Sequence, residues 1–137
     1  MHATVGFIAF FALTLAGLAA TVTTGLKARV RIHIACVAAT VTLLGITIFF
    51  AEKLGKLYDL ESAGAITPVH LALAKIATAS YLLPIASGVA TLRNRRWRRV
   101  HLTLAVITLT LTVGAAGTGT AMLLLSDPLP GAALSHP

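Results

Sequence analysis

Charged side chains are scarce in this 137-residue sequence. They make up 11% of it, and only four are acidic, whereas a typical soluble domain is about 25% charged. So few carboxylates argue against a hydrolase that works with paired acids. The single cysteine, Cys36, excludes a disulfide within the chain. Phosphate-binding glycine loops, Cys-x-x-Cys pairs and zinc motifs with helical histidine spacing are absent as well.

Long apolar runs take the place of the missing charge. Hydrophobic residues form 57% of the chain, and crossing a hydrocarbon core of roughly 30 Å takes about 20 apolar residues. The sequence therefore predicts an all-α integral membrane protein, an up-down bundle of four helices in a single domain over residues 1–126, with an irregular tail over 127–137. The four predicted spans are residues 3–24, 30–51, 68–92 and 100–126. The first run has no basic segment before it, which favours a retained helix over a signal peptide.

The net charge of +7 is concentrated in two loops. Lys27, Arg29 and Arg31 form one cluster, and five arginines between residues 93 and 99 form the other. Charge confined in this way favours the positive-inside signal over nucleic-acid binding. It predicts that both basic loops are cytoplasmic and both termini lie outside, and the short loops favour a prokaryotic inner membrane.

An internal repeat relates the two halves of the chain. A shift of 68 residues superimposes His2 on His70 and His33 on His101 without a gap, and Arg31 on Arg99. Apolar matches between two membrane helices are weak evidence for a repeat, because any two such helices share them. Matched histidines and arginines are stronger evidence. The sequence thus predicts two tandem two-helix repeats, at about 1–58 and 69–126.

The repeat also predicts how the histidines pair. In an up-down bundle the first and third helices can face each other, as can the second and fourth. His2 and His70 would then meet near the outer face, and His33 and His101 would meet near the cytoplasmic face. The two pairs would be separated by about 19 helical residues, or roughly 28 Å. Ionisable groups inside a membrane usually mark function, and two facing imidazoles can bind one haem iron from both sides.

Haem propionates need cations at the membrane edge, and the sequence offers five candidates. Arg29, Arg31, Arg96 and Arg99 are close to the cytoplasmic pair of histidines, and Lys75 follows His70. Simpler interpretations stay open. The arginines set topology in any case, Lys75 can extend to the interface without chemistry, His33 and His101 can be interfacial residues, and His2 can be an accident of the chain start.

One histidine on each of four successive helices, paired first with third and second with fourth, resembles the central four helices of the cytochrome b-561 family. The resemblance covers nearly the whole chain, without the flanking helices of larger members and without a recognisable ascorbate or quinol site. It implies two b-type haems with iron ligands His2 and His70 on the outer side and His33 and His101 on the cytoplasmic side. It also implies electron transfer across the membrane, with quinone or redox proteins as partners, and leaves open whether the chain is an oxidoreductase subunit.

Two other classes of function fit the same histidines. One is an assembly factor that binds haem or copper transiently for a respiratory oxidase. The other is a structural membrane subunit without a cofactor, in which the repeat is an evolutionary remnant. Retention of cofactor through purification distinguishes the first from a cytochrome, and tolerance of histidine replacement would support the second.

Two prolines predict local features of the third span. Pro84 lies in its middle and should kink the helix, with Ser80 or Ser87 nearby to help satisfy freed carbonyls. Thr67 followed by Pro68 predicts an N-cap and the first helical residue.

Overall fold

The computed structural model describes residues 3–130, and four of its helical segments are long and apolar enough to cross a membrane. This is consistent with an integral membrane protein, and the predicted spans agree with the observed ones to within a few residues. The helices are α1 (Ala3–Leu26), α2 (Val30–Gly55), α3 (Ile66–Ser80), α4 (Leu82–Arg93) and α5 (Arg98–Leu125). Two 3-10 helices, Leu60–Ala63 and Arg95–Trp97, and two short strands, β1 (Tyr58–Asp59) and β2 (Asp127–Pro128), complete the secondary structure of these residues.

The chain forms two compact units. Within the described residues, one comprises residues 3–58 with Pro130, and the other Asp59–Leu129. In the first unit α1 packs on α2, and in the second both α3 and α4 pack on α5. Each unit is therefore a helical hairpin, while the bundle and the repeat that would relate the units stay predictions.

A tight turn joins the two helices of the first unit. The N–H of Ala28 donates to the carbonyl of Gly25 at 3.1 Å, and that of Arg29 to the carbonyl of Thr24 at 3.0 Å. Ala28 has a left-handed φ of 53°. This pair of bonds is the Schellman arrangement, which satisfies carbonyls at a helix end and reverses the chain.

Hydroxyl groups hold α1 against α2. The side chains of Thr14 and Thr47 hydrogen-bond each other at 2.8 Å, and those of Thr21 and Thr40 at 3.2 Å. Each of the hydroxyls of Thr14 and Thr47 also lies 2.8 Å from a carbonyl one turn back in its own helix. A hydroxyl has one hydrogen to donate, so one of the two donates to its carbonyl and the other donates across the helix pair. Polar side chains that bond across helices are typical of packing inside a membrane, where apolar surface alone gives no preference for protein over lipid.

Burial in both units is the reverse of that in a soluble protein. The buried side chains are mostly small or hydroxylated, such as Thr40, Ser87 and Thr108, whereas large apolar side chains such as Ile8 and Leu124 are exposed. Small residues let helices approach closely, and exposed leucine and isoleucine suit contact with lipid.

The third predicted span is interrupted next to Pro84, where the sequence predicts a kink. α3 ends at Ser80 and α4 begins at Leu82, with Tyr81 in a turn between them. Because proline has no N–H, the carbonyl of Ser80, four residues earlier, loses its helical donor. The hydroxyl of Thr108 on α5 donates to that carbonyl at 3.2 Å.

The carbonyl of Ser80 accepts from neither Ser80 nor Ser87, the two serines that the sequence places to help satisfy freed carbonyls. Their hydroxyls donate instead to the carbonyls of Ala77 and Leu83 within their own helices. A serine hydroxyl reaches the carbonyl three or four residues back in its own helix, so the freed carbonyl is left for a neighbouring helix to satisfy.

The start of α3 also differs from the prediction. The helix begins at Ile66, so that Thr67 and Pro68 lie inside its first turn. The hydroxyl of Thr67 donates to the carbonyl of Leu60 in the preceding 3-10 helix. Proline is tolerated there because N–H groups of the first turn have no helical acceptor. At the far end of α5, β2 pairs with β1, and the N–H of Asp127 donates to the hydroxyl of Ser62 at 2.8 Å.

We predict that Thr108→Val lowers the free energy of unfolding by about 1–2 kcal/mol, because it leaves the Ser80 carbonyl without a donor. In a Pro84→Ala background the restored N–H supplies that donor, so the same substitution should cost less than half as much. Unfolding by denaturing detergent in mixed micelles measures both values.

Thr110→Val is the matched control, because Thr110 is exposed and bonds only to Val106 of its own helix. An equal loss for Thr108→Val in the two backgrounds would contradict the assignment, as would a comparable loss in the control.

Candidate functional site

Three of the predicted histidines lie in the described part of the chain, each near the start of a helix. His33 is the fourth residue of α2, His70 the fifth of α3 and His101 the fourth of α5, and all three are half-buried. The prediction for His2 falls outside the described residues 3–130. The three imidazoles are therefore described each within its own unit, His33 in the first and His70 and His101 in the second.

His33 packs against the end of α1. Its Nδ1 atom lies 3.0 Å from the carbonyl oxygen of Thr21 and 3.5 Å from the hydroxyl of Thr24. A Cβ atom on Gly25 would lie only 3.1 Å from the ring carbon Cε1. The absent side chain at Gly25 thus makes room for the imidazole.

His101 has equivalent surroundings on α4. Its Nδ1 atom lies 3.0 Å from the carbonyl oxygen of Pro84 and 3.2 Å from the hydroxyl of Ser87. A Cβ atom on Gly88 would lie 3.3 Å from Cε1 of the ring.

His70 repeats the arrangement on α5. Its Nδ1 atom lies 3.2 Å from the hydroxyl of Thr118, and the ring also hydrogen-bonds the backbone of Ala115. Gly119 makes the closest approach of the three glycines, since a Cβ atom there would lie 2.7 Å from Cε1.

The three environments share one sequence pattern, which we term the histidine bracket. A backbone carbonyl at position n, a hydroxyl at n+3 and a glycine at n+4 face the imidazole from a neighbouring helix. The brackets are Thr21–Thr24–Gly25 for His33, Pro84–Ser87–Gly88 for His101 and Ala115–Thr118–Gly119 for His70. The sequence contains three Ser/Thr-Gly dipeptides, and each of them serves a histidine.

The hydrogen bonds of the bracket determine the tautomer of the imidazole. The hydroxyls of Thr24, Ser87 and Thr118 donate to carbonyls one turn back in their own helices, at 2.7, 2.8 and 2.9 Å. A hydroxyl has one hydrogen to donate, so it accepts from the imidazole, and the bracket carbonyl can only accept. Nδ1 therefore carries the ring hydrogen and the lone pair is on Nε2. Metal-ligating histidines are oriented by the same kind of bond.

The two histidines of the second unit lie near opposite ends of its hairpin. His70 packs at Gly119, and Gly119 lies 18 residues after His101 along α5. His101 packs at Gly88, and Gly88 lies 18 residues after His70 along α3 and α4. At 1.5 Å per residue the two levels are roughly 27 Å apart. This agrees with the separation of roughly 28 Å predicted from the sequence.

The predicted propionate partners are exposed. Arg29 and Arg31 flank the start of α2, Lys75 lies on α3, and Arg96 and Arg99 line a cleft at the start of α5. Their role at haem stays a prediction, as does the pairing of His33 with His101, which lie in different units. Within residues 3–130 no group of three or more His, Cys, Asp or Glu side chains could hold a metal ion.

Comparison of the chain with protein-family models, with curated proteins and with solved structures finds no match. The resemblance to the cytochrome b-561 family therefore rests on the histidine pattern alone.

Sequence reasoning missed the bracket residues. It assigned no hydroxyl and no glycine to a particular histidine. The sequence did contain a signal for the brackets. Apart from His2, three histidines lie in the predicted spans, and the sequence contains three Ser/Thr-Gly dipeptides. Which dipeptide faces which histidine depends on hairpin register, and the sequence does not show that.

We predict that Gly119→Ala lowers the free energy of unfolding by about 1–3 kcal/mol, because the new methyl group overlaps the His70 ring. Nitrogen NMR of His70 should show that the Nδ1 hydrogen bond is disturbed. Gly117→Ala is the control, since a Cβ atom there meets nothing within 4 Å and alanine favours a helix over glycine by about 1 kcal/mol. Equal behaviour of the two variants would contradict the close approach at Gly119.

Proposed function

We propose that this chain is a transmembrane b-type cytochrome that transfers electrons across the membrane through haems bound by its histidines. The observation that carries the proposal is the histidine bracket, which occurs three times within four apolar spans. A histidine that only marked the interface would need no oriented hydrogen-bond acceptors and no glycine at its ring.

The donor set fits haem. Each bracket holds the ring hydrogen on Nδ1, which puts the lone pair on Nε2, the nitrogen that would coordinate iron. A porphyrin supplies four nitrogen ligands itself, so its iron needs only two imidazoles from the protein and no cluster of three side chains. The bound haem would supply reversible one-electron redox chemistry at the iron.

The proposed ligands follow the repeat. His33 and His101 would hold one haem near the cytoplasmic face, with Arg29, Arg31, Arg96 and Arg99 at its propionates. His2 and His70 would hold a second haem near the outer face, with Lys75 as its cation. Ligation by two histidines leaves no open position on iron and favours electron transfer over oxygen chemistry.

The chain itself would bind, orient and insulate the haems. The bracket carbonyl and hydroxyl keep the Nδ1 hydrogen in place and prevent the ring from turning, while the apolar helix exteriors exclude water. The basic loops would lie in the cytoplasm and both termini outside, in a prokaryotic inner membrane. With so little of the chain outside the spans, electrons would come from quinone or from redox proteins in a larger complex.

A reduced-minus-oxidised absorbance spectrum tests the proposal directly. Protein purified in detergent from haem-producing cells should show sharp low-spin b-type bands and two haems per chain. His33→Ala and His101→Ala should each remove one haem, and the double variant should remove no more than either single one, because both ligands serve the same iron. His70→Ala should remove the other haem.

His136→Ala is the control, since the fifth histidine lies outside the four spans, and it should retain both haems. Independent losses at His33 and His101 would contradict their pairing. A colourless wild-type protein would overturn the cytochrome, and an exchangeable haem would favour the assembly factor.

The bracket hydroxyl can be tested separately from the ligand. Thr118→Val removes the acceptor at His70 without changing the size of the side chain, and loss of such a supporting bond costs about 10–100-fold in metal affinity. Titration with haem, followed by absorbance, should show this weaker affinity at one of the two proposed haem sites and not at the other. Thr120→Val is the control, because its hydroxyl is exposed and bonds to Ala116 of the same helix. Unchanged affinity in Thr118→Val would sink the role of the bracket.

A further inference from the structure

A cleft of about 570 Å³ lies at the start of α5, within the range of about 300–1,000 Å³ typical of small-molecule sites. It is lined by Arg95, Arg96, Arg98, Arg99 and Leu102. The N–H of Arg96 donates to the side-chain oxygen of Asn94 at 3.1 Å, which caps the 3-10 helix that carries the first two arginines. Four guanidinium groups thus surround one concave surface on a locally fixed backbone.

The second unit provides no nearby negative charge for these cations. The sequence has no acidic residue between Glu61 and Asp127. The acidic residues of this unit lie around β1 and β2, and β2 follows the far end of the 28-residue helix α5, about 42 Å along the helix axis. The charge in the cleft is therefore complementary to an anion from outside the unit.

The surroundings of the cleft indicate which anion this is. The cleft lies at the end of the candidate membrane span Arg95–Leu125, at the depth where lipid headgroups begin. Leu102 gives it an apolar wall, and Trp97, a residue type enriched at membrane interfaces, is 44% exposed beside it. Guanidinium groups bind phosphate oxygens in a bidentate manner, and basic pockets of membrane proteins bind anionic lipid headgroups.

We infer that this cleft is a binding site for the headgroup phosphate of an anionic phospholipid, with the acyl chains along the apolar surface of α5. His101 does not line the cleft, although Arg96 and Arg99, two of the proposed propionate partners, do. Arg95 and Arg98 have no part in the proposed haem sites, which makes them the residues to change.

Trp97 is the only tryptophan in the sequence, and it lies between the two pairs of arginines. Its fluorescence therefore reports on the cleft in the full-length, detergent-solubilised protein. Titration with phosphatidylglycerol should give a saturable change. Phosphatidylcholine should not, and inorganic phosphate at the same concentration should not either. Native mass spectrometry counts the bound lipid without relying on Trp97.

In Arg95→Gln/Arg98→Gln the affinity for phosphatidylglycerol should fall about tenfold or more, since each cation near an anionic lipid surface contributes about 1 kcal/mol. The control Lys53→Gln/Lys56→Gln removes the same charge from the end of α2 and should change the affinity less than about twofold. Both pairs are exposed, and circular dichroism verifies that the helices are retained.

Equal binding of phosphatidylcholine and phosphatidylglycerol would overturn the inference, as would equal affinity in the two double variants. Binding of inorganic phosphate with the same affinity as the lipid would show that the cleft recognises free phosphate instead. The lipid titration is read separately from the haem spectrum. Loss of haem from the histidine variants, or its absence from the wild type, would contradict the proposed cytochrome and not the lipid site.

Discussion

Polar groups inside an apolar medium need hydrogen-bond partners within the protein, because lipid supplies none. Both units meet this requirement mainly with threonine and serine. Such a hydroxyl donates its hydrogen to a carbonyl one turn back in its own helix, and its oxygen is then available to accept from a neighbouring helix. All three histidine brackets are built from this arrangement, and one hydroxyl of the Thr14–Thr47 pair follows it as well. At Thr108 the hydroxyl instead donates across the interface, to the carbonyl that Pro84 leaves without a helical donor.

The same requirement gives the histidines their chemistry. An imidazole within an apolar span must donate its hydrogen to something, and the bracket provides a carbonyl and a hydroxyl at one end of the ring only. That fixes one tautomer out of two. Glycine at n+4 is then needed because the ring lies where a side chain would otherwise project, most closely at Gly119. The same few hydrogen bonds hold the imidazole ring in place and leave the lone pair on Nε2.

Much of the fold follows from hydropathy, since long apolar runs between charged loops leave few alternatives to spanning helices. Pro84 likewise predicts a distortion of the third span, because the missing N–H is a property of the residue itself. Hairpin register could not be predicted in this way. Gly25 precedes His33 by eight residues, whereas Gly88 precedes His101 by 13. The bracket glycines Gly25 and Gly88 therefore match at a shift of 63 residues, whereas His33 and His101 match at 68. At a shift of 63 residues the counterpart of His70 is Phe7, in a region where Phe10 stacks on Phe50. Four of the five extra residues lengthen α4 beyond Gly88, and one lies in the connection between α4 and α5.

Pro84 takes part in two features at once. Its ring interrupts the third span, and its carbonyl oxygen accepts the hydrogen bond from His101. A helix broken near proline bends more easily than a continuous one, and bending of α4 against α3 would carry this carbonyl with it. The tilt of the His101 ring is thus mechanically coupled to the bend angle of a neighbouring helix. His33 takes its carbonyl from the uninterrupted helix α1 and has no such coupling. The two imidazoles would therefore differ in stiffness although their hydrogen bonds are alike.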